Sequence, residues 1–168
     1  MYPKFFYLGE TPEQFLADLQ DARAKFEQLY AECPNLNELS STLGKGFNSV
    51  RYVLVIAEPW SGDVLYFLPP LLKLARQFEW EVRIFRRDQY PEIILPYRKD
   101  GLYHAIPVFV FYDQDFAELG YWVERPAKAT AIIDDEALKL RRVLREKNKI
   151  EWQQETVTEL ENLFHAHD

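Results

Sequence analysis

The pentapeptide Trp60-Ser61-Gly62-Asp63-Val64 places an indole, a hydroxyl and a carboxylate side by side, directly after the apolar run Tyr52-Val53-Leu54-Val55-Ile56-Ala57. For Ser61 to act as a nucleophile it needs a base such as histidine at about 2.6–3.2 Å and a set of oxyanion donors. His104 is the only histidine in the central part of the chain, and no Gly-x-Ser-x-Gly elbow surrounds Ser61. The expectation is therefore that Ser61 caps a helix by accepting a backbone N–H, with His104 a half-exposed loop residue. Asp63 falls in the first turn of that helix, where the dipole favours a carboxylate by about 0.3–1 kcal/mol, and helix stabilisation is its expected role. Glu58 is expected to be a solvated rim residue.

Cys33 is the single cysteine, so an internal disulfide and a multi-cysteine zinc site are both excluded. Its expected state is that of a small buried hydrophobe. The one basic cluster, Lys139, Arg141, Arg142, Arg145, Lys147 and Lys149, is interleaved with Glu136, Glu146 and Glu151, which points to a solvated helix face rather than to a surface for RNA, a phosphate ligand or an acidic partner. His165 and His167 make no structural metal site. No metal and no cofactor are expected.

The elements that must position these groups alternate in type. Thr11 as N-cap and Pro12 at the first helical position open a helix to about Tyr30, with Phe15, Leu19, Ala22, Phe26 and Leu29 on one face. A short helix is expected over Asn35–Leu43, ending in a flexible Gly44-Lys45-Gly46 junction. Strands are expected at Arg51–Ala57, Glu81–Phe85, Val108–Tyr112 and Ala117–Val123, the first apolar throughout as befits a strand buried on both faces. Helices are expected at Ser61–Phe78 and, interrupted near Pro96, at Tyr90–Lys99. After Pro126 a charged, mostly helical segment is expected to bury Leu138, Val143, Leu144, Trp152, Val157, Leu160 and Phe164. The chain divides into an N-terminal helical extension (1–46), a core (47–126) and a C-terminal helical segment (127–168) of one domain. Right-handed crossover makes the first two strands parallel, and the last two form a hairpin.

The segment from about Ser49 to Pro126 resembles the thioredoxin superfamily. Trp60 stands just before the position of the nucleophilic cysteine, Pro69 takes the place of the kink-forming proline, and Ala105-Ile106-Pro107-Val108 is similar to the cis-proline segment. Together with Leu119-Gly-Tyr-Trp-Val-Glu-Arg-Pro126, these residues look like a bacterial branch whose motif is Trp-Cys-Gly-Asp-x. The resemblance implies an α/β thioredoxin-like fold with a β-α-β-α-β-β-α core and a cis Ile106–Pro107 bond. It also marks what is missing. Ser61 and Val64 hold the two cysteine positions, and Val55 stands where thioredoxins bury an acid for proton transfer.

No dithiol can form at that turn, so the implied function is that of a thioredoxin-family protein without dithiol oxidoreductase activity. Its former active-site groove, formed by Trp60, Ser61, Gly62, Asp63, Tyr103, Ile106 and Pro107, is expected to bind a peptide, a protein or a small thiol-related ligand. The alternative is a monothiol thiol-disulfide oxidoreductase in cell redox homeostasis, with cysteine as the native residue 61, exchanging with glutathione, bacillithiol or protein thiols. A net charge of −7 argues against nucleic-acid binding. The longest apolar runs are strand-sized and argue against a membrane span. With Met1-Tyr2-Pro3-Lys4-Phe5-Phe6 lacking a basic region ahead of a long apolar stretch, the expected location is cytoplasmic. The apolar faces of the terminal helices need cover, and a homodimer built on them is the structural-subunit reading.

Overall fold

A computed structural model describes residues 3–34 and 44–165. Its sheet has four strands in the order β2-β1-β3-β4, where β1 is Tyr52–Ala57, β2 Glu81–Arg86, β3 Val108–Tyr112 and β4 Glu118–Val123. β1 runs parallel to β2 in the register Tyr52↔Glu81, whereas β3 is antiparallel to both β1 and β4. This is the thioredoxin-like arrangement that the order of types implies. The two central strands are buried at nearly every position, so their uninterrupted Val, Ile and Phe content reflects cover on both faces.

The helices, in chain order, are α1 (Pro3–Phe6), α2 (Pro12–Ala17), α3 (Ala22–Glu32), α4 (Gly44–Phe47), α5 (Gly62–Phe78), α6 (Ala127–Ile133) and α7 (Leu138–His165). Thr11 caps α2 through a reciprocal pair of bonds with Gln14. The single helix expected over Thr11–Tyr30 is broken at Asp18–Asp21, where Gln20 adopts a φ of 51°. Asp18 ends α2 and sends its carboxylate to Arg86 on β2 at 2.7 Å. The apolar spacing runs on across the break, so periodicity alone conceals it.

The expected helix over Asn35–Leu43 lies outside the described residues. Gly44–Phe47 is helical rather than a flexible junction, and a Cβ on Gly46 would overlap Phe164 of α7. Tyr90–Lys99 forms turns and a 3-10 segment at Leu95–Tyr97 in place of a short helix, because Pro91 and Pro96 cannot donate to a helical ladder. Leu138, 79% exposed, and Val143 do not join the core, while Trp152, Val157, Leu160 and Phe164 do.

α5 packs between α3 and α7. Pro69 and Pro70 lie inside it and lack the N–H groups that would bond the carbonyls one turn earlier. The carbonyl of Tyr66, four residues before Pro70, instead accepts from Gln153 Nε2 of α7 at 3.2 Å in a buried contact. A helix defect in one element thus becomes a docking point for another. Glu159 adds a second clamp by accepting from Trp122 Nε1 on β4 at 3.1 Å and from the backbone N–H of Ala127 at 3.0 Å. Phe15, Leu19, Phe26, Trp152, Leu160 and Phe164 are all buried within the one chain, so the apolar demand behind the homodimer expectation is met internally.

Glu146 ties α7 to the rest of the helical layer. It accepts from Tyr66 Oη at 2.6 Å and pairs with Lys25 at 2.7 Å and Lys149 at 2.9 Å. These partners, Lys25 foremost, hold its carboxyl down at about 2 against an ordinary 4.5. A carboxyl depressed in the folded state adds stability that is complete above its unfolded pKa. The Glu146 contribution is therefore expected to drain away as pH falls from 4.5 toward about 2. The difference in denaturation midpoint between the wild type and Glu146→Gln should shrink over that window; a difference constant through it would contradict the pairing.

Candidate functional site

The turn that opens α5 is set by Ser61. Its backbone is extended and its Oγ accepts from the Val64 N–H at 3.3 Å, while its own N–H donates to the Glu58 carbonyl. The hydroxyl is thus committed to capping, as expected. His104 is exposed on the loop ahead of Pro107, and its carbonyl accepts from Arg87 Nη1 at 3.0 Å. Val64, which the resemblance sets at a second cysteine position, is buried, Val55 is fully buried in β1, and the Ile106–Pro107 bond is cis. Each position at which the resemblance would set a reactive group thus holds an apolar or capping residue.

Glu58 is not a solvated rim residue. It is buried and accepts the backbone N–H of Asp88 at 2.9 Å, tying the turn to the end of β2. Asp63 likewise does more than complement the helix dipole. Its Oδ2 accepts from Arg125 Nη1 at 2.6 Å and its Oδ1 from Arg145 Nε at 3.0 Å, with both Asp63 and Arg125 buried. Arg125 also pairs with Glu124 and Asp134, and Lys99 meets the same two carboxylates at 3.0 and 3.1 Å. The cluster balances the charges of Asp63, Glu124 and Asp134 against those of Arg125, Arg145 and Lys99. Burial opposes the charge on Arg125, but the surrounding carboxylates outweigh it and raise its pKa. For Asp134, Lys99 and Arg125 overcome burial and lower it. The network ties the α5 turn to the end of β4, the loop after α6 and the first half of α7.

Arg145 crosses directly over the turn. A Cβ on Gly62 would lie 2.8 Å from its Nη1, so glycine there leaves room for the guanidinium. The basic run is therefore split: Lys139, Arg142 and Lys147 are exposed, Arg141 donates to the Glu136 and Asp134 carbonyls, and Arg145 and Lys149 are drawn inward to Asp63 and to Glu32 and Glu146. Spacing carries the signal for this, since Arg145 and Lys149 continue the stripe of Trp152, Thr156 and Leu160. Arg125 had no such periodicity to mark it.

A cleft of about 730 Å³ lies beside the turn. Trp60, Ser61, Gly62 and Asp63 line it together with Lys25, Tyr66, Leu138, Arg142 and Arg145. Trp60 is 65% exposed, with the Arg87 guanidinium 5.1 Å from its ring centroid. Of the other groove residues, Tyr103 lines a separate hollow with Lys99, Arg125 and Arg141, and Ile106 and Pro107 are buried beneath. The cleft thus runs from the turn toward α7 and α3 and not past the cis-proline, so Tyr103, Ile106 and Pro107 do not join Trp60, Ser61, Gly62 and Asp63 in the one groove expected.

Cys33 lies at the end of α3 and is buried. Burial pushes its thiol up to about 11, with Lys73 opposing only in part. Few thiolates form at neutral pH, and the thiolate is the reactive form. Ellman's reagent is expected to leave the native chain unmodified and to titrate Cys33 once denaturant is added; rapid reaction of the native chain would show the thiol to be open.

Among the described residues no group of three or more His, Cys, Asp or Glu side chains is placed to hold a metal ion, and no helix is long and apolar enough to cross a membrane. A family model described as Thioredoxin matches residues 9–139. A crystal structure of a protein of unknown function from Pseudomonas aeruginosa superimposes with a TM-score of 0.70 at 22% identity, over 99% of this chain and 98% of that one. A crystal structure of an HIV epitope-scaffold gives 0.68 at 22% identity, over 98% of each chain. These two likenesses speak to the fold alone. No curated protein matches the sequence.

Proposed function

The chain belongs to the thioredoxin family, with the match running through residues 9–139, and from that premise we propose that it is a non-redox binding protein whose former active-site turn now forms part of a ligand cleft. The observation that carries this reading is the pairing of a sulfur-free turn with an open, aromatic-rimmed cavity at the same place. Ser61 is spent on capping and Val64 is buried, while Trp60 stands exposed at the mouth. An exposed indole supplies a large apolar surface at little cost in side-chain entropy, as binding surfaces do. The ligand is a peptide or protein segment laid across Trp60, Ser61 and Gly62 and along the cleft toward α7, where contact with the indole gives affinity without sulfur chemistry.

The test has two arms. Reduction of insulin by dithiothreitol should run at its uncatalysed rate in the presence of the chain, since one buried thiol cannot cycle a dithiol. Selection of random peptides on the immobilised chain, counter-screened on Trp60→Ala, should yield binders that need the indole. Catalysis in the first arm, or a complete lack of Trp60-dependent binders in the second, would overturn the reading.

A further inference from the structure

The charge of the cleft is opposite to that of the molecule. The chain carries a net −7, yet Lys25, Arg142 and Arg145 line the cleft and Asp63 is the sole carboxylate among its lining residues. Asp63 is already satisfied by Arg125 and Arg145. Arg142 is exposed and, among the described residues, takes part in no hydrogen bond or ion pair. Arg145 spends its Nε on Asp63, which leaves its terminal amino groups on the cleft side of Gly62 without a hydrogen-bond acceptor among the described residues. Two guanidinium forks, planar and matched to carboxylates, therefore stand beside an exposed indole and an exposed leucine, Trp60 and Leu138.

The chain's own side chains illustrate the preference. Just outside the cleft Glu146 is held by Lys25, Lys149 and Tyr66, and within it Asp63 is held by two arginines. Arg142 lines both this cleft and the neighbouring hollow that holds Glu146, yet pairs with neither carboxylate. A second copy of the chain is a poor occupant, because its own Lys139, Arg142 and Lys147 would face the same residues across the contact. The excess negative charge of the whole molecule disfavours a polyphosphate backbone over a short segment whose charge is local.

Resting on the reading of the cleft as a ligand site, we infer that its ligand is an acidic peptide segment of a partner protein. Its carboxylates pair with Arg142 and Arg145, and an apolar side chain beside them rests on Trp60 and Leu138.

The peptides that require Trp60 provide the test. They are expected to be rich in Asp and Glu, to lose about ten-fold in affinity for Arg142→Gln, and to weaken as salt is added. Replacing their carboxylates by amides should cost more than that factor on the wild type and less on Arg142→Gln, where only the Arg145 pairing is left to lose. Trp60-dependent peptides that are neutral and indifferent to Arg142→Gln would overturn the acidic ligand while leaving the cleft a binding site. A lack of any Trp60-dependent peptide would overturn both. Retention of poly(U) RNA on filters, lost in Arg142→Gln, would assign the basic face to nucleic acid and also overturn it.

Discussion

Arg125→Ala is expected to lower the unfolding free energy by roughly 3–5 kcal/mol, the range for removing one partner from a buried ion pair. The Arg125 side chain is only 3% exposed and touches Asp63, Glu124 and Asp134 at once. Without it three carboxylates share Arg145 and Lys99, and Asp63 is left buried with a single partner on one oxygen. Water cannot readily repair this at Asp63, whereas Asp134 is half exposed and can rehydrate. Arg125→Lys should lose less, since it keeps the charge but not the fork. Urea denaturation checks both, with the loss read at unchanged m-value. A cost below about 1 kcal/mol for Arg125→Ala would place the network among surface pairs and contradict its role in fixing the turn.

Trp152→Ala is expected to cost a similar 3–5 kcal/mol, as truncation of a buried aromatic combines lost transfer energy with a cavity. Trp152 is 2% exposed on α7, next to Gln153, whose amide bonds the Tyr66 carbonyl released by Pro70. The substitution thus acts where α7 is fastened to α5. It should also loosen the Arg145 contact two turns away, seen as faster hydrogen exchange over the first half of α7. A near-neutral Trp152→Ala would mean that α7 does not close the core, and would return its apolar face to the homodimer reading.

The order of strands and the redox-like turn were legible because each rests on local pattern. β1 and β3 are apolar without interruption, Thr11-Pro12 and Ser61 are capping signals, and Trp60 with Ile106-Pro107 resembles a known family. Interactions made by folding were not legible in this way. Asp63 meets Arg125 and Arg145 across 62 and 82 residues of chain, and no local rule marks a carboxylate for that fate. The same holds for Glu58, which is polar by type and buried by its bond to Asp88. The break at Gln20 was hidden for the opposite reason, since the apolar spacing of Phe15, Leu19, Phe26 and Leu29 persists through it. Val143 shows the limit of apolarity as a guide: it is exposed, while the charged Arg145 two residues on is half-buried against Asp63.

The most direct measurement is the equilibrium affinity of a peptide selected on the wild-type chain, taken by fluorescence anisotropy for wild type and Trp60→Ala with and without dithiothreitol. Binding through a sulfur-free cleft predicts an affinity unchanged by the reductant and reduced about ten-fold or more when the indole is removed. Affinity that survives Trp60→Ala, or that vanishes when the thiol is reduced, would contradict it.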